Sequence, residues 1–207
     1  MTVKRSSSKR WLRRQDSDTY VRRARQEGWR SRAVYKLVDM QERHRLMKPG
    51  SRVLDLGAAP GAWSQYAAGV VRQQGRVIAV DLLDLEPIAG VDFVQGDFRE
   101  PETLEYVTKC IADQQLDLVM SDMAPNISGN RSVDQPRAMY LAELAADFAG
   151  QVLKPGGGMV LKLFHGEGFD GFVRDMRRDF GNVRVRKPAA SRAQSRETYM
   201  VATKFRV

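Results

Sequence analysis

Three acidic residues follow short apolar segments whose pattern predicts strands of a single sheet: Asp81 after RVIAV, Asp97 after VDFVQG and Asp122 after LDLVMS. A carboxylate at the end of the second strand of a doubly wound sheet can accept hydrogen bonds from both hydroxyls of a ribose. Asp97, with Phe98 beside it, is placed to contact an adenine. Taken singly, each acid is more often a helix N-cap or a turn former. Together they predict a nucleoside pocket at one edge of the sheet.

The turn after the first predicted strand supports this pocket. Gly57 and Gly61, in Asp55-Leu56-Gly57-Ala58-Ala59-Pro60-Gly61, let the backbone bend tightly and come close to a ligand. Their spacing is G-x-x-x-G rather than the G-x-G-x-x-G of dinucleotide folds. The turn alone also fits an ordinary strand-to-helix connection. With the three acids, it favours a nucleoside ligand without a bound pyrophosphate, as S-adenosylmethionine requires.

A lysine interrupts another apolar segment, at Lys162 in VLKLF. A charge inside such a strand is costly to bury unless it is paired or used. Asp122 ends the neighbouring predicted strand and could orient this lysine. The alternative is a strand-end lysine that reaches solvent. Lys36 and Glu197 are, on their own, equally consistent with surface charges.

Four segments carry a family resemblance: DLGAAPGAWSQ at 55–65, SDMAPN at 121–126, VLKLF at 160–164 and SRAQSRETY at 191–199. In these motifs the chain resembles the FtsJ-type (heat-shock) ribosomal RNA ribose 2′-O-methyltransferases, and the similarity runs almost end to end. The resemblance implies a catalytic tetrad, with one lysine of it, Lys162, as general base, and a set of S-adenosylmethionine contacts. The tetrad is Lys36, Asp122, Lys162 and Glu197; the cofactor contacts are Gly61, Trp63, Asp81, Asp97 and Asp122, to which the pattern of residues adds Gly57 and Phe98.

The resemblance also implies the substrate, which is the ribose 2′-hydroxyl of a uridine in the A-loop of 23S ribosomal RNA, within the large ribosomal subunit. A 2′-hydroxyl distinguishes RNA from DNA directly, so no DNA partner is expected. No metal is implied, because a sulfonium methyl is already activated. We expect a monomer, since no motif indicates a dimer.

Strands and helices alternate along the chain, and this pattern predicts the fold. Apolar strands are predicted at 52–57, 76–81, 91–97, 116–122 and 158–164, and two more at 183–187 and 198–205 have no helix between them. Five strand–helix units followed by a strand pair predict an α/β fold, a doubly wound, mainly parallel, seven-stranded sheet of the Rossmann-like methyltransferase type. The last strand should be antiparallel, because the loop before it is too short for a crossover helix. Residues 16–207 are expected to form one domain.

Positive charge is concentrated at the amino-terminal end of the chain. The net charge is +9, and residues 1–32 hold eleven Lys or Arg against three Asp or Glu. We expect residues 1–15 to be a disordered basic arm that neutralises RNA phosphates, although a solvated tail fits the charge equally well. No apolar run approaches the roughly 20 residues that a bilayer span needs, so no membrane partner is expected and a cytoplasmic location is favoured.

Two other functions fit a fold of this kind. A nicotinamide-dependent oxidoreductase predicts a G-x-G-x-x-G turn, which the sequence lacks after its first strand. A non-catalytic RNA-binding ribosome assembly factor predicts loss of tetrad residues, and all four are present.

Overall fold

The computed structural model describes residues 18–112 and 114–206. The basic arm predicted at 1–15 lies outside these residues. The described helices are α1 (Thr19–Gln26), α2 (Val34–His44), α3 (Ala62–Val71), α4 (Pro101–Ile111), α5 (Arg131–Val152) and α6 (Phe169–Asp179). The strands are β1 (Arg52–Leu56), β2 (Arg76–Asp81), β3 (Val91–Gln95), β4 (Leu116–Ser121), β5 (Leu153–Phe164), β6 (Phe180–Arg186) and β7 (Glu197–Phe205). Of the described helices, none is both long and apolar enough to cross a membrane.

The seven strands form one sheet in the order β3-β2-β1-β4-β5-β7-β6. The first five strands in this order pair in parallel, and β7 is antiparallel to both β5 and β6. This confirms the predicted doubly wound sheet and its antiparallel last strand. The prediction of five strand–helix units was wrong in one unit, because β2 is joined to β3 by a loop without a helix. The order reverses beside β1, where β2 lies on one side and β4 on the other. Such a reversal opens a crevice at the carboxyl ends of the strands.

Side chains alternate between the two faces along each strand, so both faces of the sheet are apolar. Helices cover both of them. On β1, Val53 packs with Trp63 and Leu37 of α3 and α2 on one face. Leu54 packs with residues of α4 and α5, including Val107 and Phe148, on the other face. The strands of the sheet centre are therefore apolar on both faces, as the continuous apolar runs in the sequence predict.

The start of β5 differs from the sequence prediction. The sequence predicts this strand from 158, whereas β5 begins at Leu153, directly after α5, and includes Lys154-Pro155-Gly156-Gly157. The strand register explains how β5 can start at Leu153 and still contain these Pro and Gly residues. Leu153 pairs with Leu116 and Gly158 with Leu118, so the intervening residues of β5 bulge out of the ladder. The Pro and Gly residues form this bulge, and the strand pairs on both sides of it.

Candidate active site

A cavity of about 950 Å³ lies beside the carboxyl ends of β1, β2 and β4. Five of the residues predicted to bind the cofactor line it: Gly57, Asp81, Asp97, Phe98 and Asp122. Gly61 and Trp63, also predicted to bind the cofactor, are not among the lining residues. The crevice therefore brings together the strand-end acids that lie far apart in the sequence.

The turn after β1 needs its two glycines. Gly57 has φ +75°, and a Cβ there would lie 2.4 Å from the side chain of Met123. Gly61 has φ +100°, and its Cβ would lie 2.7 Å from Leu85. Both positions have a left-handed backbone that favours glycine, and at Gly57 the Met123 backbone also lies 3.2 Å from where a Cβ would be. Gly57 thus lets Met123 pack against the turn, and Gly61 lets Leu85, in the loop after β2, pack against it.

Asp81 is held by backbone amides of the turn after β1 and of the loop after β2. Its Oδ2 accepts a hydrogen bond from the amide of Ala59, and its Oδ1 accepts one from the amide of Leu83, each at 2.8 Å. A carboxylate has about four acceptor positions, so each oxygen keeps one for a ligand. The anchored carboxylate suits the recognition of two vicinal hydroxyls.

Asp97 has a partner that the sequence analysis missed. The guanidinium of Arg99 bonds both carboxylate oxygens, and the shortest distance, from Nη2 to Oδ2, is 2.5 Å. These hydrogen bonds hold the pKa of Asp97 below its ordinary value. The carboxylate lies at the cavity but is engaged by Arg99, so a ligand at this position meets an ion pair.

Exposed apolar side chains border the same cavity. Leu82, Leu83 and Tyr140 all line it and are 61%, 65% and 52% exposed. Large apolar groups left open to solvent beside a cleft are typical of a ligand or partner surface. The signal in the sequence was the Leu-Leu pair directly after Asp81, at the start of the loop that joins β2 to β3.

Trp63 has a position different from that of the other predicted cofactor residues. It is buried on α3, its indole Nε1 donates to the carbonyl of Ala33 at 2.8 Å, and its ring centroid lies 5.8 Å from that of Tyr199. These contacts fix the start of α2 against the sheet. Trp63 therefore joins the element that carries Lys36 to the strand that carries Glu197.

The four predicted tetrad residues meet in one cluster. Lys162 Nζ lies 2.8 Å from Asp122 Oδ1 and also donates to the backbone carbonyl of Asp122 at 2.8 Å. Lys36 Nζ lies 3.0 Å from Glu197 Oε1 and 3.9 Å from Asp122 Oδ1. The side chains are 10–19% exposed. Two ammonium groups and two carboxylates balance, which a largely buried set of charges requires.

Strand register explains the convergence. Lys162 pairs directly with Tyr199 across the β5–β7 ladder, so the two side chains share a face. Glu197 lies two residues before Tyr199 and points to the same face. Asp122 follows β4, the parallel neighbour of β5, and α2 packs over this face with Lys36 buried.

Tyr199 completes the cluster, and the sequence analysis did not single it out. Lys36 Nζ donates to its hydroxyl at 2.8 Å, and the hydroxyl donates to Asp122 Oδ1. Burial, with Asp122 and Glu197 adding to it, raises the pKa of Tyr199. The phenol is therefore neutral and bridges the two halves of the cluster. The sequence did contain a signal for Tyr199, which lies two residues after Glu197, within the motif at 191–199.

Asp122 keeps its negative charge despite burial. Burial alone would raise its pKa, but Lys162 and Lys36 outweigh that effect, helped by hydrogen bonds from Lys162 and Tyr199. The pKa therefore lies below its ordinary value. Asp122 also lines the cavity, so one ionised carboxylate belongs both to the cavity wall and to the cluster.

Asp55 is a second acid that the sequence analysis left without a role. Its Oδ2 accepts from the hydroxyl of Ser64 at 2.6 Å, whereas its Oδ1 is buried and has no hydrogen-bond partner among the described residues. Burial raises its pKa to about 7; the Ser64 bond opposes the rise, and Asp122 and Asp81 add to it. A neutral acid therefore lies beneath the crevice at mildly acidic pH.

The first turns of α5 hold the two loops beside the cluster. Asp134 accepts hydrogen bonds from the amides of Ser128 and Gly129 and from the Ser128 hydroxyl, and these bonds hold its pKa below the ordinary value. The amide of Gln135 donates to the carbonyls of Phe164 and Glu167. Adjacent residues thus anchor the loop after Asp122 and the loop after β5.

The sheet order, the crevice at its switch point and the adjoining lysine–carboxylate cluster define a doubly wound α/β domain of the methyltransferase type. A family model described as FtsJ-like methyltransferase matches residues 29–205. The chain belongs to this family, which confirms the resemblance seen in its motifs.

Sequence relatives extend over nearly the whole chain. A protein named ribosomal RNA large subunit methyltransferase E from Alkalilimnicola ehrlichii is 54% identical over 202 residues, which cover 98% of this chain and 97% of the relative. A protein of the same name from Legionella pneumophila strain Paris is 53% identical over 196 residues, 95% of either chain.

Solved structures share the fold. A ribosomal RNA methyltransferase from Plasmodium falciparum superposes with a TM-score of 0.76 at 24% identity, covering 86% of this chain and 98% of the other. An rRNA-methylase from Clostridium thermocellum gives a TM-score of 0.55 at 18% identity, covering 82% and 97%.

Proposed function

We propose that this enzyme transfers the methyl group of S-adenosylmethionine to the ribose 2′-hydroxyl of a uridine in the A-loop of 23S ribosomal RNA, within the large ribosomal subunit, and that Lys162 is the general base. The observation that carries the proposal is the position of Asp122. Its carboxylate lines the cavity and bonds Lys162, so a group bound in the cavity and a hydroxyl bound at the cluster would be neighbours.

The cavity has the features that a nucleoside with an amino-acid tail requires. Asp81 offers an anchored carboxylate for the ribose, and Leu82 and Phe98 offer apolar surface for the base. S-adenosylmethionine, when bound, supplies a methyl group activated by its sulfonium.

The cluster has the groups needed to prepare a hydroxyl for attack. A 2′-hydroxyl is a poor nucleophile until its proton is removed, and alignment with the methyl donor supplies much of the remaining acceleration. Two hydrogen-bond positions of Lys162 are taken by Asp122, which fixes the amine and leaves its third position for the substrate. Lys36 is paired with Glu197 and lies 3.9 Å from Asp122 Oδ1, and it donates to the Tyr199 hydroxyl. Lys36 therefore supports the base role by helping to hold the carboxylate that positions Lys162.

The substrate assignment is supported by the relatives and by the chemistry of the site. Both relatives named above carry the name of a large-subunit ribosomal RNA methyltransferase and match this chain along its length. The intact, charge-balanced cluster argues against the non-catalytic assembly factor, which has no need to bury four charges.

The proposal is tested with large ribosomal subunits purified from cells in which this gene is deleted. Wild-type protein and labelled S-adenosylmethionine should produce one 2′-O-methyluridine, located in the A-loop by nuclease digestion and mass spectrometry. Lys162→Ala should lose at least a hundredfold in single-turnover rate while keeping its cofactor affinity, since a positioned base contributes about 10²–10⁴-fold. Lys109→Ala is the matched control, because Lys109 is 69% exposed on α4, away from the cluster.

Three results would contradict the proposal. Methylation on a base instead of the ribose would exclude the 2′-hydroxyl, and methylation at another nucleotide would exclude the A-loop. A Lys162→Ala rate within about tenfold of wild type would exclude Lys162 as the base.

A further inference from the structure

A second cavity, of about 500 Å³, is separate from the cofactor crevice. Its walls are the start of α1, the turn before α2 and the loop between β6 and β7, with Asp18, Arg32, Ser191, Arg192 and Gln194 among the lining residues. None of these residues lines the crevice described above. We call this second cavity the flank pocket.

The flank pocket is joined by sequence to two members of the cluster. Arg32 lies four residues before Lys36, and Arg192 lies five residues before Glu197. Four or five residues span at most about 18 Å even when fully extended, so the flank pocket is within reach of a nucleotide next to the one whose ribose enters the cluster. It shares no lining residue with the crevice assigned to the cofactor.

Two arginines in the flank pocket face one carboxylate. Arg32 Nη1 bonds Asp18 Oδ2, and Arg192 Nε lies 3.9 Å from the same oxygen. Arg32 is mostly buried, with 17% of its side chain exposed, and it also donates to the carbonyl of Ala190. Arg192 is 46% exposed, and within 18–112 and 114–206 Asp18 is its ion-pair partner, beyond hydrogen-bond distance. The described residues that line the flank pocket therefore carry two positive charges and one negative charge, and the guanidinium of Arg192 is only loosely held.

The loop that carries Arg192 is already fixed. Lys187 Nζ donates to the carbonyls of Ala193 and Ser195 at 3.1 and 2.8 Å, and Ala190 packs into a small core with Val34 and Tyr35. The hydroxyl of Ser191 is buried in the wall and has no hydrogen-bond partner among the described residues. A buried hydroxyl without a partner is costly, and a ligand that accepts its hydrogen would remove that cost.

We propose that the flank pocket binds a phosphate of the substrate RNA, next to the nucleotide whose ribose enters the cluster. Arg192 and Arg32 are the charged donors, and Ser191 and Gln194 are neutral ones. Guanidinium groups suit phosphate because their planar donors match its oxygens. In the free protein Asp18 occupies the position between the two arginines, so it weakens RNA binding. The inference rests on the proposed function, since it takes RNA as the substrate.

The test measures binding of cofactor-free protein to large ribosomal subunits from the deletion cells at several salt concentrations. Arg192→Ala should weaken binding roughly tenfold, as expected for a lost charged hydrogen bond. Its log K against log salt should flatten by about 0.7–0.9, the value for one phosphate contact. Asp18→Asn should tighten binding and steepen the slope by a similar amount, because it frees Arg32. Asn also caps helices, so α1 keeps its N-cap.

Lys109→Ala serves again as the control, since it removes one exposed positive charge far from the flank pocket. Cofactor affinity, measured by calorimetry, checks that each variant is folded, because a misfolded variant would bind cofactor more weakly. Both flank-pocket variants should bind the cofactor as tightly as wild type. The proposal is overturned if Arg192→Ala changes the slope no more than Lys109→Ala does. It is also overturned if Asp18→Asn leaves the slope unchanged or flatter.

The binding measurements separate this proposal from the proposed function. If the two variants shift binding in opposite directions but wild type forms no 2′-O-methyluridine, the flank pocket stands and the proposed reaction fails. If wild type methylates the A-loop and Arg192→Ala does so with unchanged KM, the reaction stands and the flank-pocket proposal fails.

Discussion

Replacing Asp55 by Asn should stabilise the protein at pH 8 much more than at pH 5. The Asp55 carboxyl is buried on β1 beneath the cofactor crevice, with Oδ2 bonded to Ser64 and Oδ1 without a partner among the described residues. Burial raises its pKa to about 7 from an ordinary value of 3.8. Asn has nearly the shape of the neutral acid, retains hydrogen-bonding groups toward Ser64 and carries no charge at any pH.

The size of the effect follows from the two pKa values. A group whose pKa is raised on folding contributes stability fully below its unfolded pKa, and this stability is lost as the pH rises through the folded pKa. At about 1.36 kcal/mol per pKa unit, Asp55 should cost the wild type roughly 2–3 kcal/mol of unfolding free energy between pH 5 and pH 8. The variant avoids that loss, so its advantage over wild type should grow by the same amount.

Urea unfolding of both proteins at the two pH values measures the difference, and other titrating groups cancel in the comparison. Glu105→Gln is the control. Hydrogen bonding to Lys109 lowers the pKa of Glu105, so it is ionised at both pH values and the effect of its replacement should not depend on pH. If the advantage of Asp55→Asn is the same at pH 5 and pH 8, Asp55 does not change its charge in this range and the reasoning is wrong.

Four further predictions concern the site and the arm. Asp81→Ala should lower cofactor affinity, measured by calorimetry, by roughly ten- to a hundredfold, because it removes charged hydrogen bonds. RNA binding should stay unchanged; equal losses of cofactor and RNA affinity would mean that Asp81 stabilises the fold and does not bind the cofactor. Lys36→Met should slow the single-turnover step at neutral pH and leave cofactor affinity intact. A rate equal to that of wild type would exclude a supporting role of Lys36 for Lys162. Tyr199→Phe keeps the buried ring but removes the bridge between Lys36 and Asp122, so kcat should fall while KM for large subunits stays constant; a change in KM alone would contradict this. Deleting residues 1–15 removes six Lys or Arg and, if half of them contact phosphates, should flatten the salt dependence of ribosome binding by roughly 2–3; an unchanged slope would mean that the arm is only a solvated tail.

The sequence by itself determined the sheet and the location of the crevice. Buried parallel strands are apolar along their whole length, so segments such as RVLDL and RVIAVD stand out without any structure. Acids at their ends mark the edge where carboxyl ends meet. Two connections were misread. The link from β2 to β3 has no helix, and the residues at 154–157 lie in a strand, because proline and glycine serve a bulge inside a ladder as well as they serve a loop.

The tertiary structure decided which charged residues meet. Lys36 and Glu197 are 161 positions apart in the numbering, and nothing local distinguishes either from a surface charge; strand register and the packing of α2 bring them to 3.0 Å. The same holds for the Tyr199 bridge and for the two arginines at Asp18. Secondary structure follows from periodicities of a few residues, whereas an ion pair depends on distances set by the whole sheet, which no short segment of sequence contains.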